Sequence, residues 1–269
     1  MPAKVPLFTA ESVAAALVWV AATLLILGMM TLVVRRRRGD ARARLDHLPA
    51  VMASAALVAH TVVRYHILGR LPVGNLGESA WFLAMLLSLA YVVAAVRYDY
   101  PAVDLLLLAL ASGFVLLGSV VPQENVSASL GSRWFAFHTL SSFLGVLLLL
   151  AAGIESALYL LAENQLKSKR PSSLLRLLPS LVACDGAALK LLVFGHPLLS
   201  LGIISGWMWG LEAAREAWGP KELAAVLAWL LYSALLFARL FLGFRGRRAA
   251  ILSVSAAAIA ILAFLGIRL

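Results

Sequence analysis

Long apolar stretches alternate with short polar segments along this chain. Each stretch holds about twenty residues with few or no charges, the length that an α-helix needs to cross the hydrocarbon core of a bilayer. The strict alternation of apolar and polar positions that is typical of a membrane β-barrel is not seen. The pattern predicts eight transmembrane helices: Ser12–Val34, Ala50–Leu68, Ser79–Val96, Pro101–Val121, Trp134–Leu161, Ala187–Leu211, Glu222–Leu242 and Ala249–Ile267.

The composition agrees with this pattern. Hydrophobic residues make up 62% of the 269 positions and charged residues 13%, whereas soluble domains carry about 25% charged residues. The first apolar stretch ends at a basic block without a small-residue cleavage pattern, so we interpret it as a mature helix and expect no cleaved signal peptide. We therefore expect an all-α, polytopic integral membrane protein, with residues 1–269 forming a single membrane domain.

Lysine and arginine are concentrated in every second loop. The basic loops contain Arg35–Arg38, Arg42, Arg44, Arg97, Lys167, Lys169, Arg170, Arg176, Arg245, Arg247 and Arg248. The positive-inside rule predicts that these loops face the cytoplasm. Both termini and the loops Gly69–Glu78, Pro122–Arg133 and Leu211–Lys221 are then predicted to be external. The predicted location is the bacterial inner (plasma) membrane.

The net charge of +10 follows from the same asymmetry. In a soluble protein such a charge would suggest nucleic acid as a partner. Here it marks topology, and the expected counterparts are anionic lipid headgroups of the membrane rather than nucleic acid.

Several kinds of chemistry find no support in the sequence. Cys184 is the single cysteine, so there is no thiol pair for disulfide exchange or for covalent haem attachment, and we interpret it as a small buried residue. Neither a G-x-x-x-x-G-K phosphate loop nor an H-E-x-x-H zinc pattern is present. The predicted spans contain few acidic residues, Asp104 and Glu155 among them. Ion-coupled transporters usually need more ionisable groups within the membrane, so a transporter is only the third hypothesis. We expect no catalytic activity of the chain alone.

Five short motifs stand in a characteristic order between Gly69 and Ala250. They are G-x-x-P-V-x-N-L-x-E-S from Gly69, Trp-x-x-x-His from Trp134, G-x-P-L-L-x-L-G-I from Gly195, P-K-E from Pro220 and F-R-G-R-R-A-A from Phe244. In order and spacing these motifs resemble the cytochrome c assembly family, to which CcsA and ResC belong. The resemblance implies a protein that passes haem b across the membrane and presents it to apocytochrome c, with a ResB-like membrane partner.

The resemblance also implies which residues hold the haem. His138 matches the position of an external axial ligand, and His60 lies about half a turn from the position of an intramembrane one. Neutral imidazole is a normal ligand of haem iron. The alternative for each is a histidine that bonds within a helix interface. The family's tryptophan-rich external segment corresponds to residues 205–222, where Trp207, Trp209 and Trp218 would pack against the porphyrin.

Arg64 and Arg70 are candidates for contacts with the haem propionates, because guanidinium groups bind carboxylates. A purely structural interpretation of the surrounding Gly69–Glu78 loop also stands, with Asn75 capping the third helix and Glu78 in its first turn. Pro220 likewise reads as a helix start at position N1, with Glu222 in its first turn. The tryptophans, in that interpretation, are anchors at the membrane surface.

The chain departs from the family pattern at several positions. In the external segment, Glu212 and Glu216 stand where the family has tryptophan, Ala213 stands where it has glycine, and Gly219 where it has aspartate. Phe237 stands where a second intramembrane histidine is common, and the sequence ends before the tail that would carry a second external one. These losses leave an alternative function open: a non-catalytic, HemX-like interaction or regulatory subunit that no longer binds haem.

The remaining histidines have local interpretations. We expect His196 to bond a backbone carbonyl that Pro197 frees in the sixth span, and His47 to be solvated in the cytoplasmic loop. His66 is about 240° around the helix from His60, so these two do not share a face.

Overall fold

The computed structural model describes residues 9–38, 44–97, 101–121, 132–168, 178–212 and 219–265. Within these residues it contains eight α-helices and one short 3-10 helix, Arg44–His47. The α-helices are α1 Ala10–Arg38, α2 Leu48–Leu68, α3 Leu76–Arg97, α4 Pro101–Val120, α5 Arg133–Lys167, α6 Leu181–Glu212, α7 Pro220–Phe241 and α8 Arg247–Leu265. All eight are long and apolar enough to cross a membrane. The predicted all-α, multi-pass membrane protein is therefore confirmed.

The helix ends differ from the predicted spans mainly in α5 and α6, with 35 and 32 residues. The apolar stretch of α5 is followed by Ala-Glu-Asn-Gln-Leu-Lys, whose residues are mostly good helix formers, so the helix continues beyond the apolar run. The capping predictions are confirmed. Asn75 Oδ1 accepts a hydrogen bond from the Glu78 backbone at 2.8 Å, and Pro220 opens α7 with Glu222 in the first turn.

The chain divides into two compact units. The first unit holds α1 to α3 and nearly all of α4, and the second unit holds α5 to α8. The expectation of a single membrane domain stays a prediction.

In the first unit, α1 packs along α2 and α2 packs on α3. Gly28 makes the first contact close, because a Cβ at that position would lie 3.0 Å from the Cβ of Ala50. Ser54 joins the second pair by donating to the Ser88 carbonyl at 3.1 Å. His47 was expected to be solvated, and this is wrong: its Nδ1 lies 2.7 Å from the hydroxyl of the fully buried Tyr91.

In the second unit, α5 and α6 run antiparallel, and their backbones approach each other closely. A Cβ at Gly145 would lie 2.6 Å from the Leu199 backbone nitrogen, and one at Gly202 would lie 3.0 Å from the Ser142 Cα. Small residues at such contacts let membrane helices approach closely and gain dispersion energy. The N-terminal half of α5 and the C-terminal half of α6 are therefore held in one fixed register.

The helix α7 is attached to α6 by a polar network. His196 Nε2 lies 2.8 Å from Ser233 Oγ, and its ring stacks on Trp229 at 5.8 Å between centroids. Trp229 in turn donates to Ser200 Oγ at 2.8 Å. The prediction that His196 bonds a carbonyl freed by Pro197 is wrong, because the imidazole reaches a hydroxyl on the neighbouring helix instead.

A second polar group lies towards the start of α6. Arg239 on α7 has a side chain that is 3% exposed, and its Nη2 bonds Asp185 at the carboxylate (2.8 Å) and at the backbone carbonyl (2.9 Å). Asp185 also accepts from the Gly246 backbone at 3.3 Å. Next to it, Cys184 is fully buried, as predicted. The ion pair ties the α7–α8 connection to α6.

Candidate functional site

The predicted site residues fall into two groups, one in each unit. His60, Arg64 and Arg70 belong to the first unit, and His138, Trp207 and Trp209 belong to the second. Trp218 lies outside the described residues.

His138 lies in the second turn of α5 and is oriented by α6. Its Nδ1 is 2.7 Å from the carbonyl oxygen of Gly202, with Ser142 Oγ at 3.3 Å. A carbonyl oxygen only accepts hydrogen bonds, so Nδ1 carries the proton and the lone pair of the neutral ring is on Nε2. This is the arrangement by which a second partner fixes the tautomer and the ring orientation of a metal-binding histidine.

Gly206 makes room for this imidazole. A Cβ at Gly206 would lie 2.7 Å from Nδ1 and 2.8 Å from Cε1 of His138, closer than side chains approach one another. The ring therefore lies across the α6 backbone where only a glycine fits. Sequence reasoning did not single out Gly206, although its spacing of four from Gly202 and from Gly210 places the three glycines near one face of α6.

An aromatic ring stacks on the same imidazole. Trp209 stacks on His138 with 6.0 Å between ring centroids and 23° between planes, and Phe135 contacts Trp209 at 4.9 Å. Trp207 is 56% exposed, so it presents its indole outward. A half-buried imidazole stacked on a tryptophan suits a large flat ligand with a metal at its centre.

His60 has the same tautomer but a closed environment. Its Nδ1 donates to the Ala14 carbonyl of α1 at 2.9 Å, which leaves the lone pair on Nε2. The residue is only 2% exposed, and Trp81 meets the ring edge-on at 4.9 Å. The donor chemistry therefore fits a haem ligand, but a macrocycle reaches this nitrogen only if neighbouring side chains move.

Arg64 and Arg70 meet on one buried carboxylate. Glu78, 2% exposed, accepts from Arg64 Nη2 at 3.1 Å and from Arg70 Nη1 at 2.9 Å, and also from the Gly74 backbone at 2.8 Å. Glu78 was expected only as an acid in the first turn of α3. Its role as the shared partner of both predicted arginines had no signal in the local sequence.

Comparison with known proteins agrees with the resemblance. A family model described as cytochrome C assembly protein matches residues 48–269, which leaves α1 outside the match. The cytochrome c biogenesis protein CcsA of Prochlorococcus marinus (strain MIT 9312) is 29% identical over 252 residues, covering 82% of this chain and 80% of the relative. The CcsA of Synechococcus sp. (strain CC9902) is 28% identical over 259 residues, with 86% and 85% covered.

A third relative extends the match along almost the whole chain. The CcsA of Parasynechococcus marenigrum (strain WH8102) is 27% identical over 277 residues, covering 92% of this chain and 91% of the relative. Since the family model spans well over half of the sequence and eight membrane-crossing helices lie in the described residues, the chain belongs to the cytochrome c assembly protein family.

Proposed function

We propose that this protein handles haem b at the external side of a bacterial inner membrane, for the assembly of c-type cytochromes. Apocytochrome c and a ResB-like membrane protein are the proposed partners. Family membership supports the haem-handling role. The observation that assigns this role to particular atoms is the environment of His138: its Nδ1 donates to the Gly202 carbonyl, and its ring stacks on Trp209.

In this proposal His138 Nε2 binds the haem iron. The Gly202 carbonyl holds the imidazole in the binding tautomer, so the ligand needs no reorientation when haem arrives. Trp209 supports the imidazole from the side, while Trp207 and Trp218 pack against the porphyrin. His60 is a second candidate ligand, in the first unit. A HemX-like subunit that no longer binds haem gains no support from the comparisons.

Removal of the proposed ligand should be visible in the absorption spectrum. We expect the detergent-purified protein from haem-replete cells to show a Soret band that shifts on reduction. His138→Ala should bind added hemin at least about tenfold more weakly, the factor that even an outer partner of a metal ligand contributes. His60→Ala run in parallel measures the second candidate. His66→Ala removes an exposed imidazole and should leave the hemin affinity and the absorption spectrum unchanged. A flat spectrum of the wild type would contradict the proposal.

The orientation of His138 can be tested without removing it. Gly206→Ala places a methyl group 2.7 Å from His138 Nδ1, so the imidazole must turn away from the Gly202 carbonyl. We expect hemin to bind about tenfold more weakly, as on loss of an orienting partner. Gly210→Ala is the matched control, since a Cβ there has no atom within 4 Å. Equal hemin affinity in these two variants would refute the role given to the α6 backbone.

A further inference from the structure

The guanidinium group of Arg64 has hydrogen-bonding capacity to spare. Nη2 donates to Glu78 at 3.1 Å. Nη1 lies 3.7 Å from Glu11 Oε2, beyond hydrogen-bond distance, and Nε is buried with no hydrogen-bond partner among the described residues. Buried charged donors are normally satisfied, because an unmet one costs its full desolvation energy. The group is therefore suited to take a further acceptor.

The guanidinium group of Arg70, by contrast, is already hydrogen-bonded within the fold. Its Nη1 donates to the Leu71 carbonyl and to Glu78 Oε2, both at 2.9 Å, and its Nη2 lies 3.3 Å from Glu78 Oε1. This two-point contact is the strong geometry of an arginine–carboxylate pair. It fixes the loop between α2 and α3, so the guanidinium of Arg70 is used in the fold.

The charge of this group is unbalanced on the side of Arg64. Two guanidinium groups share the single buried carboxylate of Glu78, which leaves one positive charge in excess. Among the described residues, the further counter-charge is Glu11, which lies in the first turn of α1 and whose side chain is 70% exposed. An ion pair at 3.7 Å with a carboxylate that lies mostly in water is weak, so an incoming carboxylate can displace it.

We propose that Arg64, and not Arg70, receives a carboxylate of the ligand, and that Glu11 occupies this position until the ligand displaces it. The inference rests on the proposed function with His60, which lies in the same unit as Arg64, as the haem ligand, and the carboxylate is then a haem propionate. Arg64 lies one helical turn beyond His60 on the same face of α2. Glu11 thus acts as a built-in competitor, supplied by a helix outside the part of the chain that the family model matches.

Hemin titration of the full-length protein in detergent tests this proposal. We expect Glu11→Gln to bind hemin about threefold more tightly, since loss of an exposed ion pair changes an affinity by up to about fivefold. Arg64→Gln should bind about tenfold more weakly, and adding Glu11→Gln to Arg64→Gln should give no gain. Arg70→Gln should lower thermal stability more than hemin affinity. Glu163→Gln, which removes the same charge near the C-terminal end of α5 in the second unit, is the matched control.

Hemin dimethyl ester separates carboxylate binding from other effects. Its propionates carry no charge, so Glu11→Gln and Arg64→Gln should leave its affinity unchanged. The same change with ester and acid, or an equal gain in Glu163→Gln, would overturn the proposal. A competing lipid would also overturn it. In that case hemin would bind more weakly in nanodiscs of phosphatidylglycerol than in nanodiscs of phosphatidylcholine, and this difference would disappear in Arg64→Gln, because a lipid phosphate would then occupy the position.

The experiments distinguish a failure of the proposed function from a failure of the role given to Arg64. If hemin binds and depends on either histidine, but not on Glu11 or Arg64, only the role of Arg64 is wrong. If hemin binds to none of the proteins, including the wild type, the proposed function is wrong and the role of Arg64 falls with it.

Discussion

Gly145→Leu is expected to abolish the folded protein in detergent. A Cβ at Gly145 would lie 2.6 Å from the nitrogen and 2.9 Å from the Cα of Leu199, and 3.1 Å from the carbonyl carbon of Leu198. All three atoms are backbone atoms of α6, so no side-chain rotation relieves the clash and the helices must separate. The cost should reach or exceed the ~3 kcal/mol at the upper end of overpacking in a core.

The matched control for this variant is Gly186→Leu. Gly186 also lies on α6, but a Cβ there has no atom within 4 Å, so a leucine should be tolerated. Size-exclusion profiles and thermal unfolding of the two purified variants give the comparison. A monodisperse Gly145→Leu protein with the melting temperature of the wild type would show that α5 and α6 do not pack in this register.

The second large effect is expected for Asp185→Ala. Removal of this carboxylate leaves the guanidinium of Arg239 buried in the membrane-spanning part of α7 without its counter-charge. Breaking a buried ion pair from one side costs about 3–5 kcal/mol. Thermal unfolding in detergent should show the loss directly. Glu163→Ala, which breaks exposed pairs with Lys167 and Arg247, should lower the melting temperature much less.

The double variant Asp185→Leu with Arg239→Met distinguishes charge from packing. When a buried pair is replaced as a whole by apolar side chains of similar volume, stability is often kept or increased. We therefore expect the double variant to unfold near the wild-type temperature. A double variant as unstable as Asp185→Ala would show that the hydrogen bonds to the Asp185 backbone and to Gly246, rather than the burial of charge, hold the α7–α8 connection.

The membrane helices and their number were predictable from sequence because transmembrane length and hydropathy are local properties. The same holds for the caps at Asn75 and Pro220, where the signal lies within four residues. Contacts between helices were harder to predict. Glu78 and Arg64 are fourteen residues apart, and Asp185 and Arg239 are 54 residues apart, so neither pair appears as a spacing motif.

The hydrogen-bond partners of the histidines could not be predicted from neighbouring residues in the sequence. His138 was selected because a motif matched, whereas the carbonyl that orients it is 64 residues away. His47 and His196 were assigned to solvent and to a local carbonyl, but each meets a hydroxyl on another helix. In each case a partner brought in by packing replaced the partner that was nearest in sequence.

Both candidate haem ligands are oriented by the main chain. His138 is held by the carbonyl of Gly202, and His60 by the carbonyl of Ala14. A carbonyl is present whichever amino acid occupies the position, so the hydrogen bond itself sets no requirement on the side chain. At Gly202 such a requirement comes from elsewhere, because a Cβ there would meet Ser142 of α5. The tautomer of each imidazole thus depends on the path of the backbone and on the helix packing that fixes it, and the glycine matters for the tautomer of His138 through that packing alone.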